Sequence, residues 1–199
     1  MKSKFHLNFF QVFLLPFLMV FGLWLVYWVE IRFGFNFNEF GLKPRSLSGL
    51  QGVIFSPFIH SGIEHLYNNS IPLFVLLSAI FYFYGNIRFK ILLWGFLGVG
   101  ILTWIIGRDS YHIGASGIVY LLTSFLFFKG IWSKNYRLIA LSLIVVFLYG
   151  SMVWGIFPQK EHISWEGHLS GMLVGLVLAL VFKPPISSST TYEWEKTNY

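Results

Sequence analysis

The sequence contains no cysteine, and only 11% of its 199 residues are charged. Without cysteine, the chain can form no disulfide framework, thiol nucleophile, iron–sulfur cluster or cysteine-ligated zinc site. About a quarter of the residues in an average soluble domain are charged, so this chain has too little polar surface to cover itself in water. A soluble globular domain is therefore excluded.

Apolar residues are correspondingly abundant. They make up 56% of the sequence, with 23 phenylalanines and 8 tryptophans, and the mean hydropathy is +0.67. The net charge of +6 would suggest nucleic acid as the partner of a soluble protein, but the basic residues here lie in short segments between apolar runs, where they set topology. The composition predicts an integral membrane protein that contacts the lipid bilayer and binds no nucleic acid.

Six apolar runs indicate six membrane helices, which we expect at about 9–29, 65–84, 91–107, 116–132, 138–157 and 168–182. The first run lacks a small-x-small cleavage site, which favours an uncleaved span over a signal peptide. We therefore predict an all-α bundle of six transmembrane helices over residues 9–183. A cytoplasmic tail at residues 1–8 and a disordered cytoplasmic tail at residues 184–199 flank this domain.

Lysine and arginine are distributed unequally between the two sides of the predicted bundle. The side of the termini carries Lys2, Lys4, Arg88, Lys90, Lys129, Lys134, Arg137, Lys183 and Lys196, and the other side carries Arg32, Lys43, Arg45, Arg108 and Lys160. The positive-inside rule then predicts both termini in the cytoplasm and segments 30–64, 108–115 and 158–167 outside. The lack of an arginine- and serine-rich amphipathic leader favours a bacterial cytoplasmic membrane over an organelle.

The first outer segment, residues 30–64, is long but too apolar to be a free tether. Glycine and proline interrupt it at Gly34, Gly41, Pro44, Gly49, Gly52 and Pro57, which prevents a continuous span. We expect this segment to form short amphipathic pieces that lie in the outer membrane interface.

Two of the predicted helices are too short to cross the bilayer completely. The runs that begin at Ser116 and His168 extend about 20 Å and about 22 Å to their basic ends, against a hydrocarbon core of about 30 Å. If those basic ends lie at the inner face, Ser116 and His168 lie below the outer surface. His65 and Asn69, one turn apart at the start of the second helix, reach a similar depth. Polar side chains at this depth face the bundle interior, so we predict that the four share a cavity.

A hydroxyl and an imidazole on different helices are the minimum set for nucleophilic acyl transfer. Ser116 lies in a Gly-Ala-Ser-Gly segment that opens a helix, so free backbone N–H groups and the helix dipole point at a developing oxyanion. Asn69 and His65 can donate hydrogen bonds to the same oxygen. Asp109, seven residues before Ser116, is the only acidic residue in the short loop, and its position in the sequence does not place it beside His168. We predict a Ser/His dyad.

The residues that carry this chemistry resemble the rhomboid intramembrane serine proteases, six-helix enzymes that cleave transmembrane substrates. The resemblance covers about residues 57–175. It depends on three motifs on the second, fourth and sixth predicted helices, which are Phe58-Ile59-His60 with His65-Leu66-Tyr67-Asn68-Asn69, Gly114-Ala115-Ser116-Gly117, and Gly167-His168-Leu169-Ser170-Gly171-Met172-Leu173-Val174-Gly175.

The resemblance implies a serine endopeptidase that needs no cofactor and acts on single-pass or polytopic membrane proteins. It implies Ser116 as the nucleophile, His168 as the base, and an oxyanion hole formed by Asn69, His65 and the Ser116 amide. Supporting roles fall to Tyr120, which matches a tyrosine that stacks on the histidine, and to glycines at Gly114, Gly117, Gly171 and Gly175. The last two match small residues that let the fourth and sixth helices approach.

The sequence departs from this family in the first outer segment. Many rhomboids carry a Trp-Arg pair about nine residues before the first histidine, where this chain has Gln51 and Gly52. The segment is therefore expected to sit differently in the membrane.

Two other functions remain open. A rhomboid-like pseudoprotease would bind transmembrane helices without cutting them, although its usual mark, a lost serine or histidine, is absent. A small transporter could use the intramembrane polar residues as an ion path, although no paired broken helices are visible. His60, His112 and His162 also lie on the outer side, but no pair has zinc-helix spacing with a matching carboxylate, so we predict no metal site.

Overall fold

The computed structural model describes residues 9–158 and 163–182. The predicted tails at 1–8 and 184–199 lie outside these residues, as do Lys160, His162 and Lys183. Within the described residues the regular elements are all helical, and a single isolated β-bridge joins Leu42 and His112. The prediction of an all-helical membrane bundle is therefore confirmed.

Seven α-helices make up the described structure. They are α1 (Phe9–Phe33), α2 (Gly52–Phe55), α3 (Ile63–Phe83), α4 (Arg88–Ile106), α5 (Ser116–Ile131), α6 (Tyr136–Tyr149) and α7 (Trp165–Val181). Short 3-10 helices lie at Asn38–Phe40, Ser48–Gln51, Ser56–Phe58 and Gly150–Ile156.

Four helical segments of the described chain are long and apolar enough to cross a membrane, namely Val12–Phe33, Ile63–Phe83, Arg88–Ile106 and Tyr136–Ile156. Helices α5 and α7 are equally apolar in character but shorter, at 16 and 17 residues. That all six cross the bilayer stays a prediction.

The fifth predicted helix, 138–157, differs from the structure in its second half. The α-helix α6 ends at Tyr149, and Gly150–Ile156 continues as a 3-10 helix. Glycine lowers helix propensity by about 1 kcal/mol relative to alanine, and Gly150 and Gly155 both lie in this segment. The expected start of the last helix at His168 was also wrong by three residues, because α7 begins at Trp165.

Helix α5 lies at the centre of the bundle and packs against α3, α4, α6 and α7. Its side chains at Leu121, Leu122, Phe125 and Leu126 are fully buried. Helix α7 approaches α5 closely. A Cβ atom at Gly171 would overlap the carbonyl oxygen of Gly117, so the two backbones touch there. Close approach of this kind requires glycine at the contact.

The first outer segment folds back on itself and onto the end of α4. A Cβ atom at Gly52 would overlap the backbone of Leu42, so position 52 has no room for a side chain. The Arg45 guanidinium donates to the carbonyl oxygens of Ile105 at 3.2 Å and of Gly107 at 2.6 Å, which caps the end of α4. The Trp104 indole donates to the backbone of this segment at 2.9 Å. The segment is therefore docked without the Trp-Arg pair.

Candidate active site

Ser116 and His168 lie within one hydrogen bond of each other. Ser116 is the first residue of α5, and His168 is the fourth residue of α7. Ser116 Oγ lies 2.8 Å from His168 Nε2, and the histidine is 9% exposed. The glycine contact between α5 and α7 brings the two helix starts together one turn below this pair. The structure thus places the predicted serine and histidine in the geometry that proton transfer between them requires.

The other ring nitrogen of His168 fixes which tautomer is present. Nδ1 lies 2.8 Å from the carbonyl oxygen of Gly155. Because a carbonyl can only accept, Nδ1 carries the proton, and Nε2 is left with a lone pair to accept from the Ser116 hydroxyl. A backbone carbonyl therefore orients the imidazole in the way that a carboxylate does in a catalytic triad.

Asp109 does not reach His168. Its side chain is 78% exposed and lies 3.6 Å from the Lys43 ammonium at the surface. Sequence reasoning missed the Gly155 carbonyl, because a backbone acceptor leaves no signature in the residue types.

Tyr120 lies on the face of the His168 ring. The two ring centroids are 4.2 Å apart and the planes differ by 8°. The Tyr120 hydroxyl donates to the carbonyl oxygen of Met152 at 2.7 Å, so the 3-10 segment after α6 contacts both rings. Tyr120 thus stacks on the histidine ring, which is the arrangement that the family resemblance implies for it.

The space beside Ser116 is lined by hydrogen-bond donors. Gly114 has φ = +104°, and a Cβ atom there would lie 2.6 Å from the His65 ring and 3.6 Å from Asn69 Nδ2, so both side chains border the turn before Ser116. Asn69 is 6% exposed, and its Nδ2 has no hydrogen-bond partner within the described residues. The Ser116 and Gly117 N–H groups come at the very start of α5, before the hydrogen bonds from Ile118 and Val119 to the Ala115 carbonyl oxygen. Asn69 and His65 thus border the turn that leads into the nucleophile candidate Ser116.

His60 lies in the loop that precedes α3 and packs against the ring of His65. The two ring centroids are 5.1 Å apart, and His60 is 2% exposed. Burial, together with the neighbouring His65, lowers the pKa of His60 to about 4. His60 is therefore neutral at physiological pH and packs against His65 as an uncharged ring.

A small cavity adjoins Ser116 on the side of α4. Its volume is about 30 Å³, and its polar lining includes Thr103, His112 and Ser164. A cavity of this size holds about two water molecules. Within residues 9–158 and 163–182, no three histidine, aspartate or glutamate side chains are arranged to hold a metal ion.

The sequence was compared with known proteins and family models. Residues 48–185 match the family model of the rhomboid domain. An uncharacterized protein of Mycobacterium tuberculosis is 35% identical over 175 residues, which cover 82% of this chain and 72% of the relative. An uncharacterized protein of Mycobacterium leprae is 31% identical over 157 residues, 73% of this chain and 61% of the relative. A protein of Acanthamoeba polyphaga mimivirus that bears the rhomboid name is 30% identical over 140 residues, 66% of this chain and 74% of the relative.

Proposed function

The chain belongs to the rhomboid family, and from this premise we propose that it is an intramembrane serine endopeptidase. It hydrolyses peptide bonds in or near the transmembrane helices of membrane-protein substrates by a Ser116/His168 dyad. One observation carries the proposal, namely the 2.8 Å hydrogen bond between Ser116 Oγ and a His168 ring whose other nitrogen is held by the Gly155 carbonyl. A serine and a histidine that only packed together would not need a fixed tautomer.

Acylation begins when Ser116 Oγ attacks the carbonyl carbon of the scissile bond while His168 Nε2 takes the hydroxyl proton. The carbonyl oxygen becomes an oxyanion, which the Ser116 amide, Asn69 and His65 stabilise by hydrogen bonds. The imidazolium then gives its proton to the leaving amine, and the C–N bond breaks to leave an ester on Ser116. One such oxyanion donor contributes about 3 kcal/mol to lowering the barrier.

Deacylation repeats these steps with water as the nucleophile. His168 removes a proton from a water molecule as the water attacks the ester carbonyl, and the Ser116 oxygen leaves with that proton. The cavity of about 30 Å³ beside Ser116 provides room for such water next to the ester. This supports hydrolysis inside a membrane bundle, where bulk water is excluded.

The substrates of the proposed enzyme are single-pass or polytopic membrane proteins. A peptide bond inside an intact helix is shielded by its own turns, so the substrate must unwind locally before Ser116 can reach a carbonyl carbon. The excess of basic residues on the side of the termini supports a cytoplasmic location for both ends and an active site that opens outward. We place the protein in a bacterial cytoplasmic membrane, and the proposed mechanism uses no cofactor.

The experiment uses the purified chain in liposomes with a fluorescent transmembrane substrate and a serine-reactive fluorophosphonate probe. Wild type is expected to cleave and to be labelled. Ser116→Ala should abolish both, and His168→Ala should lower cleavage by about 10³-fold or more, since neither residue acts without the other. Ser78→Ala is the matched control, because Ser78 is a buried serine on α3 with no hydrogen-bond partner in the described chain.

A folded wild type that neither cleaves nor is labelled would contradict the proposal. The alternative would then be a catalytically silent rhomboid-like scaffold that binds transmembrane helices. Ion flux through the liposomes, measured in parallel, separates both from a small transporter.

A further inference from the structure

Four polar side chains form a group above the Ser116–His168 pair, at the outer ends of α4, α5 and α7. They are Arg108, His112, Ser164 and Glu166, and we call them the outer polar cluster. His112 and Glu166 are buried, whereas Arg108 and Ser164 are half-buried. The sequence motifs that pointed to the active site did not include this cluster.

The first link in the cluster joins the segments that lead into α5 and α7. His112 lies four residues before Ser116, and Ser164 lies four residues before His168. His112 Nδ1 and Ser164 Oγ are 2.6 Å apart, and His112 is 4% exposed. This contact therefore joins the two segments that lead to Ser116 and His168.

The second link is an ion pair between the half-buried Arg108 and the buried Glu166. Glu166 is 2% exposed, its Oε1 accepts from the Arg108 backbone N–H at 3.2 Å, and its Oε2 lies 3.5 Å from Arg108 Nη1. Arg108 Nη2 also donates to the carbonyl oxygen of Ile163 at 2.8 Å. A buried carboxylate without these partners would be strongly destabilising, so the start of α7 is fixed to the end of α4.

His112 connects a third segment. Its backbone N–H donates to the carbonyl oxygen of Leu42 at 2.8 Å, and its carbonyl oxygen accepts from the Leu42 N–H at 3.0 Å. Its Nε2 lies 3.1 Å from the carbonyl oxygen of Arg108. Since that carbonyl can only accept, Nε2 carries the proton and Nδ1 accepts from the Ser164 hydroxyl. Burial lowers the pKa of His112, which favours this neutral form.

The position of His168 depends on Ser164. The His168 backbone N–H donates to the Ser164 carbonyl oxygen at 3.2 Å, the hydrogen bond that starts this face of α7. The Gly171–Gly117 contact sets the spacing of α5 and α7 on the inner side, and the outer polar cluster joins the segments before them on the outer side. A misplacement of about 1 Å in a catalytic group can lower a rate by about 100-fold.

We propose that the outer polar cluster positions the reaction centre, with His112 and Glu166 as positioning residues that hold the start of α7 so that His168 Nε2 stays within hydrogen-bond reach of Ser116 Oγ. The inference rests on the proposed function, because it assigns the cluster a role in that reaction. Neither residue touches a reacting atom.

The test compares His112→Ala, His112→Asn and Glu166→Gln with wild type in liposomes. The measurements are kcat and KM for the fluorescent transmembrane substrate, the rate of fluorophosphonate labelling at Ser116, and the thermal unfolding temperature. His112→Ala and Glu166→Gln are expected to lower kcat and the labelling rate by about 10- to 100-fold with KM nearly unchanged. His112→Asn keeps an amide where the histidine carries Nδ1, so it should stay within about threefold of wild type.

The matched control for Glu166→Gln is Asp109→Asn, which makes the same chemical change at an exposed carboxylate, next to Arg108 in the chain. It should behave as wild type. If His112→Ala fails to fold, Ser164→Ala takes its place in the series, because it removes the hydroxyl group that forms the same hydrogen bond.

Wild-type kcat in folded His112→Ala or Ser164→Ala would overturn the inference, as would a His112→Asn variant as impaired as His112→Ala. If wild type itself were neither labelled nor active, the proposed function would fail and the positioning role with it. An active, labelled wild type with equally active variants would remove the positioning role alone.

Discussion

Helices α5 and α6 are neighbours of similar composition, yet the bundle holds them very differently. Ten of the 16 residues of α5 are buried, against three of the 14 residues of α6. Helix α5 is surrounded by four other helices, whereas α6 packs mainly along α5 and leaves its other faces open. Apolar composition alone therefore does not decide which helix forms the core of a membrane bundle.

The two regions contribute to the candidate site in different ways. The α5–α7 pair supplies the side chains of Ser116 and His168 from backbones in direct contact. The region of α6 supplies carbonyl oxygens, at Met152 and Gly155, from the 3-10 segment that follows the helix. The free energy of local opening is lower where fewer contacts are buried. Substitutions at the backbone contact between α5 and α7 should therefore act mainly on stability, and substitutions in the 3-10 segment mainly on activity.

The largest effect expected from a single added methyl group comes from breaking the α5–α7 contact. In Gly171→Ala, the new Cβ atom would overlap the Gly117 carbonyl oxygen, and backbone atoms can move away only if the helices separate. We expect a loss of about 2–4 kcal/mol in the free energy of unfolding, measured by thermal or denaturant unfolding in detergent micelles.

Gly22→Ala on α1 is the matched control, because nothing lies within 4 Å of a Cβ atom built at Gly22. The same chemical change there should be neutral or stabilising by up to about 1 kcal/mol, since alanine has the higher helix propensity. Equal stabilities of the two variants would contradict the direct backbone contact between α5 and α7.

A smaller effect on stability, but a clear one on activity, is expected for Gly155→Ala. The added Cβ atom would overlap the Tyr120 hydroxyl and lie 3.2 Å from His168 Nδ1, so the 3-10 segment must move away from both rings. The carbonyl that fixes the His168 tautomer moves with it. We expect kcat to fall by about 10- to 100-fold with a stability loss of about 1 kcal/mol.

The control for Gly155→Ala is Gly150→Ala in the same segment, where the nearest atom is Val146 Cγ1 at an ordinary 3.5 Å. It should keep wild-type kcat. Adding Tyr120→Phe to Gly155→Ala removes the overlapping hydroxyl and should restore part of the lost activity. A Gly155→Ala variant that unfolds as readily as Gly171→Ala but retains kcat would reverse the distinction between the two regions.

The fold was largely predictable because apolar runs report membrane helices directly. Each of the six predicted runs corresponds to a helix, and Ser116 was correctly expected at a helix start. The proximity of Ser116 and His168 followed from the shortness of their two helices and from the family resemblance. Side chains whose type and depth are unusual in a membrane carry strong information.

Two kinds of contact in the structure were not predicted from the sequence. They are hydrogen bonds to backbone carbonyl groups and an ion pair between distant parts of the chain. The Gly155 carbonyl has no residue-type signature, and the docking of the first outer segment depends on Arg45, which the sequence indicates only as an outer basic residue. The pairing of Glu166 with Arg108 depends on the start of α7 and the residues after α4, which meet only in the folded bundle.

The smallest expected effect comes from removing an exposed side chain of α6. Making the same substitution on α5 sharpens the comparison of the two helices. Phe147 on α6 is 87% exposed, whereas Phe125 on α5 is fully buried. Phe147→Ala removes a ring that contacts lipid or detergent in any state, so the free energy of unfolding should change by less than about 0.5 kcal/mol and kcat by less than about twofold. Phe125→Ala leaves a cavity in the core and should lower the free energy of unfolding by about 3–5 kcal/mol.

Unfolding in micelles measures the free energy of unfolding of both variants, and cleavage in liposomes measures kcat. A stable Phe147→Ala variant with a raised KM would contradict a purely lipid-facing role, because it would mean that this face of α6 contacts the substrate helix before cleavage.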